Sequence, residues 1–274
     1  MNKQEGIKAG WHNAEEDMVL EITGKGRSMK KINIVVTMGG LGERFRRAGY
    51  QVPKYMIHAK GKTLFEWSLE SLSGFENKAG KYIFIVKEDE KEDARAFIKG
   101  RCGKLGLDCY EVIVIDYLTA GQAATAMLAA KYWEKDSPLL IYNIDTYVES
   151  GQMKCSDLCG DGFLPCFRGE GEHWSFVRTD AQGRVVEVRE KQRISDHCSL
   201  GAYYFKTCSL YEQLYREYYG DPQNRVNGEE YVAPLYNYLL EKGGEVRICE
   251  ISPQKVHVLG TPEELEKFLE EGSM

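Results

Sequence analysis

The sequence INIVVTMGGLGERF, residues 32–45, joins a hydrophobic run directly to a glycine-rich loop. The first seven residues are mostly β-branched, which is typical of a central parallel strand that is buried on both faces. Gly39, Gly40 and Gly42 then allow backbone N–H groups to turn toward an anion such as a phosphate, because a Cβ atom there would block its close approach. The spacing fits neither the Walker A pattern nor GxGxxG, so a solvated basic turn is the alternative for the loop by itself.

Length and composition limit the class of protein. The chain has 274 residues, of which 43% are hydrophobic and 28% are charged, as in an ordinary globular protein. Its net charge of -6 argues against a general nucleic-acid binder. No apolar run reaches the roughly 18 residues of a membrane span, and the N-terminus has no hydrophobic signal core. We therefore expect a cytoplasmic protein that has neither a nucleic-acid partner nor a membrane partner.

Strands and helices alternate in the first half of the chain. We predict strands at residues 32–38, 81–86, 110–116 and 138–145, and helices at residues 63–72, 92–102 and 121–133. This order predicts right-handed βαβ crossovers, and hence an α/β fold whose parallel sheet binds ligands at its carboxyl edge. Thr63, with Glu66 three residues later, is the expected N-cap of the first of these helices.

The pattern changes after residue 150. We first predict four strands without intervening helices, at GFLPCF (162–167), WSFVRTD (174–180), RVVEVREK (184–191) and CSLGAYYF (198–205). Helices are then expected near residues 207–218 and 229–241. Two further strands, at EVRICEI (245–251) and KVHVL (255–259), precede a last helix that is capped by Thr261. Residues 1–30 are expected to form a loosely ordered extension. Residues 31–274 are expected to form a single domain with an α/β half (31–150) and an antiparallel-rich half (151–274).

Charged residues follow the glycine loop and end two of the predicted strands. Arg44 can fork onto phosphate oxygens, and Lys54 could neutralise charge that develops on a phosphate. Asp145 ends the segment YNID (142–145), where a carboxylate that faces a phosphate loop would bind Mg²⁺, although a turn or cap role is the alternative. Lys191, at another strand end, could hold a second phosphate or be solvated.

Cysteines and tyrosines leave further interpretations open. The eight cysteines are scattered along the chain, so free thiols are expected in a reducing cytosol. Cys155, Cys159 and Cys166 could instead form a zinc site with His173, although the CxxxC spacing has no second matching pair. The tyrosine-rich stretch at residues 211–220 could line a pocket, but its helical spacing favours packing in the core or between subunits. A homo-oligomer therefore stays open.

Several motifs, taken in order, resemble the sugar-phosphate nucleotidyltransferase family and the related cytidylyltransferases. The resemblance covers residues 32–269 and rests on the segments GGLGERF…PK, TAGQAATA (119–126), NID (143–145), EK (190–191), SLGAYYF (199–205) and LGTPEEL (259–265). The segments GQAATA, HWSFV (173–177) and EEYVAPLYNYL (229–239) are similar to the branch associated with capsule and surface-polysaccharide precursors. The resemblance implies a Rossmann-like GT-A fold, in which residues 31–150 bind the nucleotide and residues 151–274 bind the acceptor.

The resemblance also implies a reaction in which an NTP and a phosphorylated acceptor give a nucleoside-diphosphate derivative and pyrophosphate. Arg44 would stabilise the leaving pyrophosphate, Lys54 would contact the α-phosphate, and Asp145 would bind the implied cofactor, Mg²⁺. The implied nucleotide-binding residues are Met38, Gly39, Gly40, Gly42, Gly121 and Gln122, of which the last two would touch the base. Because the reaction joins two anions, catalysis would depend mainly on positioning and electrostatics.

The implied acceptor site draws on both halves of the chain. Trp174 could stack on a sugar or face a cation, and packing beside Phe176 on one strand face is the alternative. Lys191 would contact the acceptor phosphate. The implied acceptor-binding residues are Asn143, Trp174, Glu190, Lys191 and Gly201, and they do not identify the acceptor.

One departure from the family pattern concerns the metal site. Many relatives have an aspartate two residues before the glycine of LGTPEEL, where this chain has Val258. Since valine cannot bind Mg²⁺, the ion would depend on Asp145, the triphosphate and water. His257 is an alternative ligand, although a neutral imidazole binds Mg²⁺ poorly.

We therefore predict a Mg²⁺-dependent nucleotidyltransferase that activates a sugar phosphate or similar small phosphate for surface-polysaccharide synthesis, with CTP as the favoured nucleotide. One alternative is a GT-A glycosyltransferase, but its diphosphate donor would not require the Arg44 and Lys54 pair. Another is a non-catalytic nucleotide-sugar sensor in which Val258 reflects lost metal binding. The retained charges at Arg44, Lys54, Asp145 and Lys191 argue against a sensor.

Overall fold

The computed structural model describes residues 30–76, 78–89 and 91–272. The extension predicted at residues 1–30 lies outside this part of the chain, except for Lys30. The strands are β1 (Ile32–Met38), β2 (His58–Ala59), β3 (Lys62–Thr63), β4 (Ala79–Lys87), β5 (Tyr110–Ile115), β6 (Leu139–Asn143), β7 (Thr146–Val148), β8 (Gly162–Arg168), β9 (Ser175–Thr179), β10 (Val185–Glu190), β11 (His197–Ser199), β12 (Ala202–Phe205), β13 (Val246–Glu250) and β14 (Val256–Val258). The helices are α1 (Glu43–Arg47), α2 (Leu64–Glu70), α3 (Ala94–Leu105), α4 (Gln122–Met127), α5 (Cys208–Tyr218), α6 (Pro234–Glu241) and α7 (Pro262–Glu270).

The central sheet has ten strands and two regions that differ in strand direction. The strands β6, β1, β4 and β5 are parallel to one another. The strand β12 pairs antiparallel with β6, and β8, β11, β9 and β10 extend the antiparallel region beyond it. The strand β13 runs parallel to β8. This mixed sheet, flanked by helices, confirms the predicted α/β fold with an added antiparallel region.

The strand β1 is buried on both faces, as its continuous hydrophobic run predicts. Alternate side chains point to opposite faces, so Ile34 and Val36 pack into one core and Val35 into the other. All three side chains are 0% exposed, and burial of each contributes about 2 kcal/mol to folding. The helices α2 and α3 cover the first face, and α4, α5 and α6 cover the second.

A third hydrophobic cluster joins the glycine loop to the end of the chain. It packs Phe45 of α1 with Trp67 of α2 and Phe268 of α7. The indole N–H of Trp67 donates a hydrogen bond of 2.9 Å to the carbonyl of Ala59, which holds this ring in place. The cluster therefore fixes the helix that follows the glycine loop against both α2 and α7.

The predicted helix caps are present. The hydroxyl of Thr63 accepts the Glu66 N–H, and the Glu66 carboxylate accepts the Thr63 N–H at 2.7 Å, which completes a capping box on α2. The hydroxyl of Thr261 accepts the Glu264 N–H at the start of α7. Such caps contribute about 1 kcal/mol each.

The tyrosine-rich stretch packs inside the protein. Tyr211 is fully buried and donates a hydrogen bond of 2.9 Å to the Ala123 carbonyl on α4. Tyr219 is also buried and donates to the carbonyl of Tyr231. The packing role predicted for residues 211–220 is therefore confirmed for the core.

Three expectations about secondary structure are wrong in detail. The helix predicted at residues 121–133 ends at Met127 and continues as a short 3₁₀ turn. The helix predicted at 229–241 begins only at Pro234, because the preceding backbone is hydrogen-bonded to another part of the chain, as described below. The strand predicted at 198–205 is two strands, β11 and β12, which Gly201 separates.

The zinc alternative is also wrong for the residues that the structure describes. Among residues 30–76, 78–89 and 91–272, no three His, Cys, Asp or Glu side chains are grouped so that they could hold a metal ion. Cys166 is buried in the core, whereas Cys159 is exposed. All eight cysteines are free thiols, as predicted. Within the same described ranges, no helix has the length and apolar character needed to cross a membrane.

Gly201 marks the point where the chain passes from β11 to β12, beside β6. It has a φ of +75°, and a Cβ atom there would lie 2.1 Å from the side-chain nitrogen of Asn143. Its carbonyl accepts the Asn143 N–H at 3.1 Å. The position therefore requires glycine both for its backbone conformation and for space.

We predict that Gly201→Ala lowers the free energy of unfolding by about 2–3 kcal/mol, because the new methyl group adds a clash to a left-handed backbone. Gly183→Ala is the matched control, since Gly183 has a φ of +74° and nothing lies within 4 Å of the place that its Cβ atom would take. The control should cost only about 1 kcal/mol. Equal losses in urea denaturation would contradict the crowding argument.

Candidate active site

A cavity of about 920 Å³ opens at the carboxyl edge of the parallel strands. The glycine loop, Lys54, residues 118–125 and residues 143–145 line it. A second cavity of about 660 Å³ is lined mainly by carboxylates, among them Glu88, Asp89, Glu92, Asp93 and Asp116. Since these carboxylates would repel a polyphosphate, the first cavity is the candidate site for an anionic ligand.

The glycine loop has the tight geometry that its sequence predicts. Gly42 precedes α1 with a φ of +62°, a conformation that glycine adopts without strain. A Cβ atom on Gly39 would lie 3.3 Å from Ile115, so the backbone that follows β1 packs closely against the end of β5. Gly40 has nothing within 4 Å of its Cβ position and faces open space. Met38, Gly39, Gly40 and Gly42 all line the cavity, and their contact with a nucleotide stays a prediction.

The three arginines of α1 differ in their partners. Arg46 forms an ion pair of 2.6 Å with Asp89, and Arg47 one of 2.7 Å with Glu43. All three line the cavity, but Arg44 has no ion pair within 4 Å among the described residues. Its guanidinium is therefore the one of the three best placed to bind an incoming anion.

Lys54 and Asp145 meet at the cavity although 91 residues separate them in the chain. Their side chains form an ion pair of 2.7 Å, with Lys54 12% exposed and Asp145 52% exposed. The Asp145 carbonyl also accepts the Leu259 N–H at 2.7 Å, which ties the end of the NID segment to the chain before α7. The carboxylate of Asp145 and the glycine loop thus line the same cavity.

Asp145 offers one carboxylate for a metal, and Val258 adds none. His257 is not an alternative: its ring is buried, stacks on Tyr147 at 5.3 Å and lies 2.7 Å from Glu271, in the cluster behind the cavity. The expectation that His257 could bind the metal is therefore wrong. A single exposed carboxylate suits Mg²⁺, which usually takes most of its ligands from phosphates and water.

The segment that follows β5 forms another part of the cavity wall, through Gly121 and Gln122. The Gln122 amide donates a hydrogen bond of 3.2 Å to the hydroxyl of Thr37 on β1. Gly121 has a φ of +149°, and a Cβ atom there would lie 2.5 Å from the carbonyl oxygen of Glu230. Glycine at this position therefore lets another part of the backbone approach closely, and both Gly121 and Gln122 line the cavity.

That approaching backbone is a hairpin at residues 226–231, named here the strap. The Glu230 N–H donates to the Ala120 carbonyl at 2.8 Å, and the Glu230 carbonyl accepts the Ala123 N–H at 2.9 Å. Glu230 is 3% exposed, and its carboxylate accepts hydrogen bonds from Arg225 and Tyr215. These contacts explain why α6 starts late.

The strap brings two residues to the cavity that the sequence did not identify, Glu229 and Tyr231. The motif EEYVAPLYNYL contains both residues, but its helical periodicity concealed the turn at its start. The only local signals for a turn were Asn227 and Gly228, both of which have positive φ.

The predicted acceptor-binding residues occupy two neighbouring places. Asn143 lines the cavity, and Gly201 packs directly behind it. Lys191 lies after β10, where its ammonium donates a hydrogen bond to the Tyr231 hydroxyl at the cavity. Trp174 packs against Phe167 with ring centroids 5.1 Å apart. The Trp174 ring therefore takes part in packing, and its contact with an acceptor stays a prediction.

Glu190 is a half-buried carboxylate beside Lys191. Burial raises its pKa, although the Ser175 hydroxyl donates a hydrogen bond to it and Lys191 lies nearby. Three residues earlier, the pKa of Glu187 is lowered by hydrogen bonds from Arg189 and Arg178. The folded protein thus disfavours the ionised form of Glu190 and favours that of Glu187.

We predict that Glu190→Gln stabilises the protein at pH 8, because a group with a raised folded-state pKa costs stability once it is ionised. The gain should shrink as the pH falls toward the ordinary value of 4.5. Glu187→Gln is the matched control and should be less stable than wild type at pH 8, since a lowered pKa contributes stability above that range. Denaturant midpoints that change in the same direction for both variants would contradict this assignment.

Comparisons with known proteins agree with this architecture. No protein-family model and no curated protein matches the chain. The inositol-1-phosphate CTP transferase from T. maritima shares the fold, with 17% identity and a TM-score of 0.66 over 90% of this chain and 99% of that chain. The nucleoside-diphosphate-sugar pyrophosphorylase from Vibrio cholerae RC9 is 34% identical, with a TM-score of 0.79 over 87% of this chain and 100% of that chain. At that identity over the whole of the Vibrio protein, the chain belongs to the sugar-phosphate nucleotidyltransferase family.

Proposed function

We propose that this protein transfers a nucleotidyl group from an NTP to a sugar phosphate and releases pyrophosphate. The observation that carries the proposal is the meeting of Lys54 and Asp145 beside a glycine loop, with the Arg44 guanidinium, unpaired among the described residues, at the same cavity. These groups supply a cation for each end of a triphosphate and a carboxylate for a divalent ion. The similarity to a nucleoside-diphosphate-sugar pyrophosphorylase supports the same reaction class.

The reaction joins two anions and needs no covalent intermediate with the protein. An oxygen of the acceptor phosphate attacks the α-phosphorus, a new P–O bond forms, and the bond to the oxygen that bridges the α- and β-phosphates breaks. Pyrophosphate leaves with that oxygen. Lys54 would stabilise the charge that develops on the α-phosphate, and Arg44 would stabilise the leaving pyrophosphate. The protein thus contributes alignment and fixed positive charge.

We further propose that Asp145 holds Mg²⁺ together with the triphosphate and water. When bound, Mg²⁺ offsets the repulsion between phosphates and orients the triphosphate. In the structure the ammonium of Lys54 already occupies one side of the Asp145 carboxylate. Metal binding at Asp145 would therefore compete with this ion pair and release Lys54 toward the α-phosphate.

CTP is the nucleotide that we favour, and surface-polysaccharide precursor synthesis is the role that we favour. The resemblance of GQAATA and EEYVAPLYNYL to the capsule-associated branch supports both. A cytoplasmic location and a homo-oligomeric state stay predictions from the sequence.

The first experiment measures thermal stability with Mg²⁺ and each of CTP, UTP, GTP, ATP and dTTP, followed by nucleotide sugars. A nucleotide at a hundred times its Kd should add about 2.7 kcal/mol of stability, which is visible as a shift in Tm. The nucleotide that binds is then assayed for pyrophosphate release with a panel of sugar 1-phosphates. Stabilisation by nucleotide sugars and by none of the five NTPs would instead favour a glycosyltransferase or a sensor.

We predict that Arg44→Ala lowers the rate of pyrophosphate release by two to three orders of magnitude, roughly a few kcal/mol of transition-state stabilisation. Arg47→Ala is the matched control on the same helix, because Arg47 also borders the cavity but is exposed and already paired with Glu43. It should retain most of the activity. Near-normal turnover by the Arg44 variant would contradict its assignment to the leaving pyrophosphate.

We predict that Lys54→Met makes the nucleotide-free protein bind Mn²⁺ about fivefold more tightly, because Asp145 loses its competing ammonium and such partly exposed pairs contribute up to about 1 kcal/mol. Titration calorimetry measures the affinity without turnover. Lys60→Met serves as the control, since Lys60 lies over the Phe268 ring in the cluster behind the cavity. Unchanged Mn²⁺ affinity in the Lys54 variant would show that the ion does not compete with Lys54 for Asp145.

A further inference from the structure

Lys191 is held from its backbone in an unusual conformation. Its φ of +54° lies in the left-handed region, which non-glycine residues adopt only when their surroundings stabilise it. Its N–H donates a hydrogen bond of 2.8 Å to the carbonyl of Trp174 on the neighbouring chain segment. The backbone thus turns sharply at the end of β10 and directs the lysine away from the strand.

The side chain of Lys191 is held at its other end by Tyr231. The ammonium donates a hydrogen bond of 2.5 Å to the tyrosine hydroxyl and lies 4.6 Å from the centroid of its ring. Two carboxylates, Glu190 and Glu229, also face the ammonium. Burial by itself lowers the pKa of Lys191, but the hydrogen bond with Tyr231 and the charges of these two carboxylates together outweigh it, so the pKa is raised. Lys191 therefore stays charged beside a cavity whose lining includes Tyr231.

Tyr231 in turn belongs to a part of the strap that cannot shift freely. Its own carbonyl accepts the Tyr219 hydroxyl at 2.6 Å, and the preceding residue, Glu230, forms two backbone hydrogen bonds to the segment around Gly121. The phenol of Tyr231 also contacts the carboxylate of Glu229, which contributes to the raised pKa of the tyrosine after the larger effect of burial. A rigid element therefore connects the Gly121 wall of the cavity to the ammonium of Lys191.

We propose that Tyr231 is a positioning residue that places the Lys191 ammonium for the phosphate of the acceptor. This inference rests on the proposed nucleotidyl transfer and adds a residue to it. A free lysine side chain has four rotatable bonds, and ordering it on binding costs up to about 2 kcal/mol. A lysine that the hydroxyl and the ring already restrain avoids part of this cost, so the acceptor phosphate meets a prearranged cation.

The position of Tyr231 determines which kinetic constant should respond. Among the described residues, the Tyr231 hydroxyl forms no hydrogen bond with Arg44, Lys54 or Asp145, so we expect the triphosphate end of the cavity not to depend on it. The acceptor phosphate, in contrast, would meet Lys191 in both the bound complex and the transition state. Loss of the hydroxyl should therefore raise the KM for the acceptor and leave kcat and the KM for the NTP nearly unchanged.

The test uses Tyr231→Phe, which keeps the ring and removes only the hydroxyl. The substrates are the NTP and the sugar 1-phosphate that give the fastest pyrophosphate release with wild-type protein. We expect the acceptor KM to rise about tenfold, as for loss of a hydrogen bond to a charged group, with the NTP-induced shift in Tm retained. Tyr238→Phe is the matched control, because Lys242 lies 4.7 Å from the Tyr238 ring in a similar pair away from the cavity. This control should leave both KM values unchanged.

A double-mutant cycle then asks whether Tyr231 acts through the lysine. If it does, adding Tyr231→Phe to Lys191→Met should cause no further rise in the acceptor KM. Independent, multiplying effects would overturn the proposal, because they would place Tyr231 on the substrate itself. An unchanged acceptor KM in the single variant would also overturn it, because the hydroxyl would then have no part in acceptor binding. A wild-type protein that releases pyrophosphate with no tested pair would instead refute the proposed function and with it this inference.

Discussion

The parallel pairing of β1 with β6 is the constraint on which the rest of the site depends. In this register Thr37 lies opposite Asn143, so the glycine loop after β1 and the segment after β6 leave the sheet at the same edge. Both strands are buried on both faces, and a slip by one residue would move every side chain to the wrong core. The hydrophobic cores therefore hold the register that brings Lys54 to Asp145.

A second constraint comes from the strap, which joins the antiparallel half of the chain to the segment that follows β5. Its approach requires glycine at position 121, where any side chain would collide with the Glu230 backbone. Because Glu230 is itself buried and its carboxylate pairs with Arg225, the contact between the strap and Gly121 is specific as well as close. The segment around Gly121 and the strap that carries Tyr231 are thus connected by backbone hydrogen bonds.

Much of the fold and part of the site could be predicted because their signals are local. The hydrophobic run of β1, the capping box at Thr63 and the loop glycines each depend on residues close together in the chain. The buried Tyr211 likewise follows from helical periodicity. The division of the strand at Gly201, the strap and the buried ring of His257 could not be predicted, because each depends on a contact with a distant segment: Asn143, the Gly121 region and Glu271, respectively.

By itself the sequence determined the order of the elements, the glycine loop and the charged residues Arg44, Lys54, Asp145 and Lys191, since hydrophobic periodicity and residue chemistry are properties of neighbours in the chain. Only the tertiary structure decided how those charges are paired. It left Arg44 without an ion-pair partner among the described residues, placed Lys54 against Asp145, and set Lys191 against Tyr231. The physical reason is that an ion pair forms between side chains that the packed sheet brings within a few ångströms, whatever their distance in sequence.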